Sequence, residues 1–221
     1  GRGSGLVKAG AIDDDSVTLA KMAGLARGKL IYGDASGDPA ALAAGGADEV
    51  LTHDGTDLAW AAAGGGGLTG ADQWRTNTVV AGDIDPLTNV ERVDDGGFAG
   101  IGSAMTQSSG VFTFPATGIW LIRFDALFIG DGESRFNNAF IHYTTNDAVS
   151  YDVAAYNSCL TRETNSLSAY GFCSQAFMFD VTSTSTHKVK FLVSVDDNTT
   201  TLQGNTTANN TTFTFLKLGD T

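Results

Sequence analysis

The side chains able to do acid–base or nucleophilic chemistry are scattered along this sequence rather than clustered. Its three histidines, His53, His142 and His187, fall in three separate segments. None has the His-x-Glu or His-Glu-x-x-His spacing that places two ligands, or a ligand and a base, on one face. No serine sits in a Gly-x-Ser-x-Gly elbow. The glycine runs lack the Lys-Ser/Thr and strand–helix context of a phosphate loop. These residues give no basis for an enzyme. Oxygen ligands are the better represented chemistry. Asp83-Ile84-Asp85, Asp94-Asp95-Gly96, Asp131-Gly132-Glu133 and Asp196-Asp197-Asn198 each offer close-set carboxylates of the kind hard cations accept. Asp94 with Asp95 is the best candidate for Ca²⁺, the only cofactor these residues suggest, although no EF-hand spacing is present and solvated turns have the same composition.

Two further segments have the residue types of a binding surface. Arg135-Phe136-Asn137-Asn138 and the stretch from Tyr151 to Tyr156 combine aromatic rings with amides and a guanidinium, which adapt to sugars and protein surfaces at low entropic cost. Both read as loops, with Arg135, Asn137, Asn138, Tyr151 and Tyr156 as candidate receptor- or glycan-binding residues; ordinary surface loops have the same make-up. The Asn-x-Thr triplets between Asn198 and Thr212 are formal glycosylation acceptors, read here as Thr/Asn-rich edge strands and loops.

The elements that must position these residues divide unevenly along the chain. None of the thirteen Phe precedes Phe98, and Trp60 is the only Trp among the first 70 residues. Residues 1–67 are mostly Gly, Ala and Asp. Ordering them costs about 1–2 kcal/mol per residue, against a return of about 25 cal/mol per Å² of apolar burial. Such a stretch cannot fold as an isolated monomer and needs copies of itself to pack against. After a leader over residues 1–10, the acidic Asp13–Asp15 and Ser16 before Val17-Thr18-Leu19-Ala20-Lys21-Met22-Ala23 predict one short helix, with Gly24 as its stop. An imperfect repeat of roughly 20 residues follows, of the kind that must stack on neighbours. Gly28–Ala40 overlays Ala47–Trp60, each an apolar pair, an Asp/Gly turn and a short apolar exit. That is strand–turn–strand chemistry, although a low-complexity linker has similar composition.

Gly64–Gly67 predicts a hinge between an N-terminal region, residues 1–63, and a head, residues 68–221. In the head, Gly118–Phe128 alternates strictly, with Trp120, Ile122, Phe124 and Ala126 on one face and Ile119, Leu121 and Arg123 on the other. Further strands are expected over Ala139–Thr144, Ser168–Phe179, His187–Val195 and Thr211–Leu218. The fold class is therefore all-β, with a sandwich or barrel as the head. Cys159 and Cys173 are either small apolar strand residues or a cross-strand bridge. The net charge of −12 and pI near 4.4 disfavour nucleic acid and anionic membranes as partners. No apolar run approaches the length of a membrane span, and no basic-then-apolar signal sequence opens the chain. The expectation is a protein used without export, or one already processed.

Two segments carry a resemblance. Ile12–Ala23, Leu30–Ala40 and Glu49–Gly55 resemble the shaft region of tail fibres and related virion proteins of tailed bacteriophages. Gly110–Ile122 resembles the early strand pair of complement/tumour-necrosis-factor-type jelly rolls, and Thr212–Gly219 is similar to their last strand. The resemblance implies a thin shaft of short hairpins joined to a jelly-roll head, both trimeric, with Trp120, Ile122, Phe124, Phe213 and Phe215 in the trimer core. It also implies location on a virion, attachment to other virion proteins through residues 1–63, and a head that meets a host-surface glycan or protein. Capsid decoration is the alternative, because such shafts occur on tail and capsid appendages alike.

Overall fold

The structure, a computed structural model, describes residues 24–63, 67–130, 134–147, 149–162 and 168–221. Every regular element among them is a β-strand, and no helix is long and apolar enough to cross a membrane. The helix expected over residues 13–23 and the Asp131-Gly132-Glu133 cluster lie outside the described residues. Two compact units are present, divided between Gly66 and Gly67.

The first unit contains two hairpins. β1 (Leu30–Gly33) pairs with β2 (Pro39–Leu42), and β3 (Glu49–His53) with β4 (Leu58–Ala62). The two copies of the sequence repeat turn by the same device. Asp34 Oδ1 accepts from the amides of Ser36 and Asp38 at 2.9 and 3.0 Å, and Asp54 Oδ1 from those of Thr56 and Asp57 at 2.8 and 2.9 Å. Such Asx turns are what Asp supplies in tight loops. These amide donors hold the Asp54 carboxyl below its ordinary range. Trp60 reaches back to donate its Nε1–H to Ala43 O at 2.6 Å. Not one of the described residues 24–63 is buried.

The second unit is a two-sheet sandwich. Sheet I is built around β10 (Gly118–Gly130). Along one edge β10 pairs with β13 (Ala169–Val181). Along the other it pairs with β16 (Thr212–Gly219) and, end to end, with the two-residue β15 (Thr201–Leu202). β16 continues to β5 (Gly70–Thr76) and β7 (Val90–Arg92), and β15 to β6 (Val80–Ala81). Sheet II has the order β12 (Asp152–Thr161), β11 (Ser134–Thr144), β14 (Lys188–Val195), β9 (Val111–Thr113), β8 (Thr106–Ser108). All pairings are antiparallel, and from β9 to β16 the chain crosses repeatedly between the sheets. That interleaving is a jelly roll. Ser109 and Gly110, at φ 50° and 80°, form the two-residue turn between β8 and β9; a Cβ on Gly110 would lie 2.5 Å from Leu87 O, so glycine is required there.

The core is aromatic. Phe191 of sheet II lies 4.4 Å from Phe213 of sheet I, which stacks on Phe124 at 5.0 Å. Phe112 joins Phe191 and Phe215, both at 5.4 Å. Trp120, Ile122, Phe124, Phe213 and Phe215 are all fully enclosed within a single chain. This corrects the expectation that they form a trimer core. They share a face, but that face is filled by the chain's own second sheet. The opposite face of sheet I remains open, and one register row across it reads Ala71, Leu216, Leu121, Met178. Met178 is 66% exposed.

Truncating Phe213 to Ala is expected to destabilise the head by about 3–5 kcal/mol, the usual cost of a large buried cavity. Chemical denaturation of the variant against the parent protein measures it.

Candidate functional site

Sheet II presents its outward face in three register rows across β14, β11 and β12. They read Ser194–Asn138–Ser158, Leu192–Phe140–Tyr156 and Lys190–His142–Val153. The middle row carries an aromatic platform: Tyr156 stacks on Phe140 at 5.3 Å and 24°, and is itself 63% exposed. Beside it Ser158 donates to Asn138 Oδ1, so a hydroxyl–amide pair flanks an exposed ring. Flat aromatic surface with hydroxyls and amides beside it suits a sugar ring or a polar protein surface.

On the other flank, Lys190 Nζ lies 4.7 Å over the Tyr151 ring and pairs with Asp85 at 2.6 Å. Tyr151 OH is buried and has no hydrogen-bond partner among the described residues. Burial, with Asp147 and Asp85 adding to it, raises the Tyr151 hydroxyl above its ordinary range. His142, between Lys190 and β12, is held below its ordinary range by burial and by the nearby ammonium, against weaker opposing pulls from Asp85 and Asp152.

The five candidate binding residues therefore separate. Asn138 and Tyr156 meet on the outward face, and Tyr151 flanks them. Arg135 stands at the end of the sheet, where Asp196 holds it through Nε and Nη2, both at 2.8 Å, which keeps the Asp196 carboxyl low. Asn137 is fully buried and points inward, donating from Nδ2 to Thr161 Oγ1 at 3.2 Å. Both segments read as loops are strands: Arg135–Asn138 opens β11, and Tyr151 directly precedes β12. The sequence did not single out Phe140, Lys190 or Ser158; period-2 pairing with Tyr156 and Asn138 is the only signal that could have found them.

The acidic clusters are spent internally. Asp94 Oδ1 and Asp95 Oδ2 accept from Arg75 at 2.6 and 2.8 Å, and Glu91 Oε1 accepts from the same guanidinium at 2.8 Å. Arg75 is fully buried, and it also donates to Asn209 Oδ1 and Thr206 O. A guanidinium thus holds the place between Asp94 and Asp95 proposed for Ca²⁺. Asp83 caps the Val195 amide at 2.7 Å, and Asp197 caps that of Thr199 at 2.9 Å. Among the described residues, no group of three or more His, Cys, Asp or Glu is placed to hold a metal ion.

Cys159 and Cys173 are free thiols in hydrogen-bonding contact across β12 and β13. Cys173 also donates to Asn137 O at 3.2 Å. Contact with Cys159 and burial push the Cys173 thiol up.

No protein-family model matches this chain, and no curated protein matches it. Among solved structures it is similar to the Eiger TNF of S. frugiperda, at 13% identity and a TM-score of 0.47, covering 68% of this chain and 93% of that one. It is also similar to murine APRIL, at 13% identity and a TM-score of 0.49, covering 67% and 98%. The strand order establishes the jelly roll without these likenesses, and they carry nothing about function.

Two outcomes are expected. His142 resists protonation in the folded chain, so the unfolded chain takes up its proton first. The stability this contributes is present above the ordinary histidine range and is lost as pH falls through it, about 7 to 5. Denaturation midpoints should therefore drop over that interval in the parent protein and stay flatter in H142Q. Arg75→Ala removes a fully buried guanidinium and breaks its hydrogen-bond network to Glu91, Asp94, Asp95, Asn209 and Thr206, and should cost about 3 kcal/mol. Asp94→Asn, at a side chain 77% exposed, should cost less than about 1 kcal/mol in the same assay.

Proposed function

We propose that this chain is a non-catalytic virion protein of a tailed phage. In this reading it assembles as a homotrimer, its N-terminal hairpins serve attachment to the particle, and its jelly-roll head meets the host surface. The observation that carries the self-association is that none of the first unit's described residues, 24–63, is buried. Leu30, Ile31, Val50 and Leu51 are all exposed on two-stranded hairpins, and such hairpins are marginal in water unless another surface covers them. The head offers a matching need, because the Ala71–Leu216–Leu121–Met178 row leaves an apolar strip on a sheet face that a monomer would expose. A shallow depression of about 290 Å³ lies on that face, lined by Leu121, Leu216, Thr214, Arg123 and Asp125. Closed three-fold assembly gives every copy the same cover.

The outward face of β11, β12 and β14 is the surface we assign to host contact. It carries an exposed stacked ring, amides and hydroxyls, and no arrangement of nucleophile, base and orienting group is evident there. The virion setting is supported by the resemblance of residues 12–55 to phage shaft sequences.

Sedimentation equilibrium of the full chain at micromolar concentration is expected to give three times the chain mass; a monomer would overturn the proposal. Leu121→Asp combined with Leu216→Asp should lower the assembled fraction at least ten-fold while leaving the circular dichroism of the fold unchanged. Antibody labelling of particles should find the protein on the tail; labelling on the capsid shell would make it a decoration protein instead.

A further inference from the structure

The chain has two cysteines, and the fold brings them together from opposite sheets. Cys159 lies on β12, the last strand of sheet II, and Cys173 on β13, which pairs with β10 along one edge of sheet I. Among the described residues each of these strands keeps a free edge, and the two edges face one another. Asn157 Nδ2 on β12 donates to Ser174 O on β13 at 3.1 Å. Beside that bond the Cys159 and Cys173 thiols are in hydrogen-bonding contact.

The surroundings hold both sulfurs at this point. Cys173 is 1% exposed and faces the core, opposite Ala126 in the β10–β13 register. Cys159 packs against the same core. Its sulfur lies over Gly171, where an added Cβ would come within 2.8 Å of Sγ. Glycine inside a strand commonly marks such a close approach, and here it leaves a seat for the Cys159 sulfur. Asn137 touches both thiols: it faces Cys159 across the β11–β12 ladder, its side chain hydrogen-bonds Cys159, and its carbonyl accepts from Cys173 Sγ at 3.2 Å. β11 bulges just before it, with one extra residue between the pairs Ser134–Thr161 and Asn137–Cys159. Asn137 is itself fixed, since Ser134 Oγ donates to its Oδ1 at 2.8 Å and its Nδ2 donates to Thr161 Oγ1. This buried amide, expected from the sequence to meet a receptor, is a positioning residue for the thiol pair. Two small residues that merely fill space would need neither the glycine seat nor polar contacts to both sulfurs.

The protonation of the pair agrees with this geometry. The hydrogen bond from Cys173 holds the Cys159 thiol below its ordinary range, against burial. The same contact, with burial, pushes the Cys173 thiol up. The thiolate is the attacking species in exchange with a disulfide. Cys159, only half-buried, is therefore the one to react first.

We propose that Cys159 and Cys173 form an intrachain disulfide joining the free edges of the two sheets, with a low-molecular-weight disulfide as oxidant, Cys159 as the attacking thiol and Cys173 as the resolving one. The Cys159 thiolate attacks one sulfur of the small disulfide, forming a mixed disulfide and expelling one small thiolate. Capping Cys159 removes the thiolate that keeps Cys173 protonated. Cys173 then loses its proton to solvent, attacks Cys159 Sγ and expels the second small thiolate. Two protein thiols are oxidised by two electrons, and one small disulfide is reduced to two thiols. The reaction is separate from the proposed trimer and host contact, because both thiols belong to one chain and face the interior of its head.

The full chain, incubated with oxidised or with reduced glutathione, is alkylated and its intact mass measured. The oxidised sample should lose two hydrogens, take up no alkyl group and carry no glutathione. Its thermal midpoint should rise above that of the reduced sample by about 6–12 °C, the shift expected from closing a loop of about 15 residues. Cys173→Ser should stop at a lasting glutathione adduct on Cys159, and Cys159→Ser should stay unmodified. Alkylation of both cysteines after oxidation, a bridge between two copies, an unchanged midpoint, or serine variants that react in the opposite order overturns the proposal. Mass and midpoint of the parent protein need no substitution, so a serine variant that fails to fold leaves the test intact.

Discussion

The contact of Phe191 with Phe213 across the gap between the two sheets, with Phe112, Phe124 and Phe215 packed around it, is the constraint on which the head depends. A strand has only two faces, and a slip of one residue exchanges them. Once Phe124, Phe213 and Phe215 point inward on β10 and β16, Leu121, Thr214 and Leu216 must point outward. Once Phe191 and Val193 point inward on β14, Lys190, Leu192 and Ser194 must point outward. The aromatic slab therefore fixes more than stability. It also places the apolar row on one outer surface and the Tyr156 platform on the other, and neither surface could be moved without dismantling the core.

The polar interior of the head follows a similar logic at smaller scale. Arg75 ties β5 to the β7 strand, to the Asp94–Asp95 loop and to the loop holding Thr206 and Asn209. One buried guanidinium with several hydrogen-bonded acceptors meets the requirement that a buried charge be paired and its donors used. The Ser134–Asn137–Thr161 chain does the equivalent at the bulge, where a ladder hydrogen bond is lost and side chains replace it. In both places, residues that look like surface chemistry in the sequence serve to close loops onto the sandwich.

The regularity of the fold was legible in the sequence where side chains alternate cleanly. β10, β14 and β16 fall within a residue or two of the expected bounds, because aromatic and β-branched residues recur with period two. What period two cannot say is whether an apolar face meets the chain's own second sheet or a partner copy, so it offers no check on the trimer core that the resemblance implies for Trp120, Ile122 and Phe124. β12 escaped notice because Asp152-Val-Ala-Ala-Tyr-Asn-Ser-Cys-Leu-Thr161 is rich in Ala, Asn and Ser, and its place in the sheet comes from pairing with β11. Asp94 and Asp95 looked like cation ligands because their partner lies 19 and 20 residues away, a separation no local motif encodes. The Asp34 and Asp54 turns were legible for the opposite reason, since an Asx turn is complete within five residues.

On the proposed trimer, the two units depend on one another through the chain that joins them. The head has an interior of its own and can fold before it associates. The hairpins have none, so their ordering and their association must occur together, and at ordinary concentration that step would have to offset chain entropy with little apolar area. Association of the heads changes the terms. Three tethered hairpin regions then meet at an effective concentration that tethering raises to about the millimolar range, and the encounter becomes intramolecular. The copy number that suits the head is imposed on the hairpins, whose exposed Leu30, Ile31, Val50 and Leu51 gain cover only in that company. On that proposal a sequence poor in large apolar residues would be ordered by a neighbour rich in them, which would account for the uneven distribution of Phe along this chain.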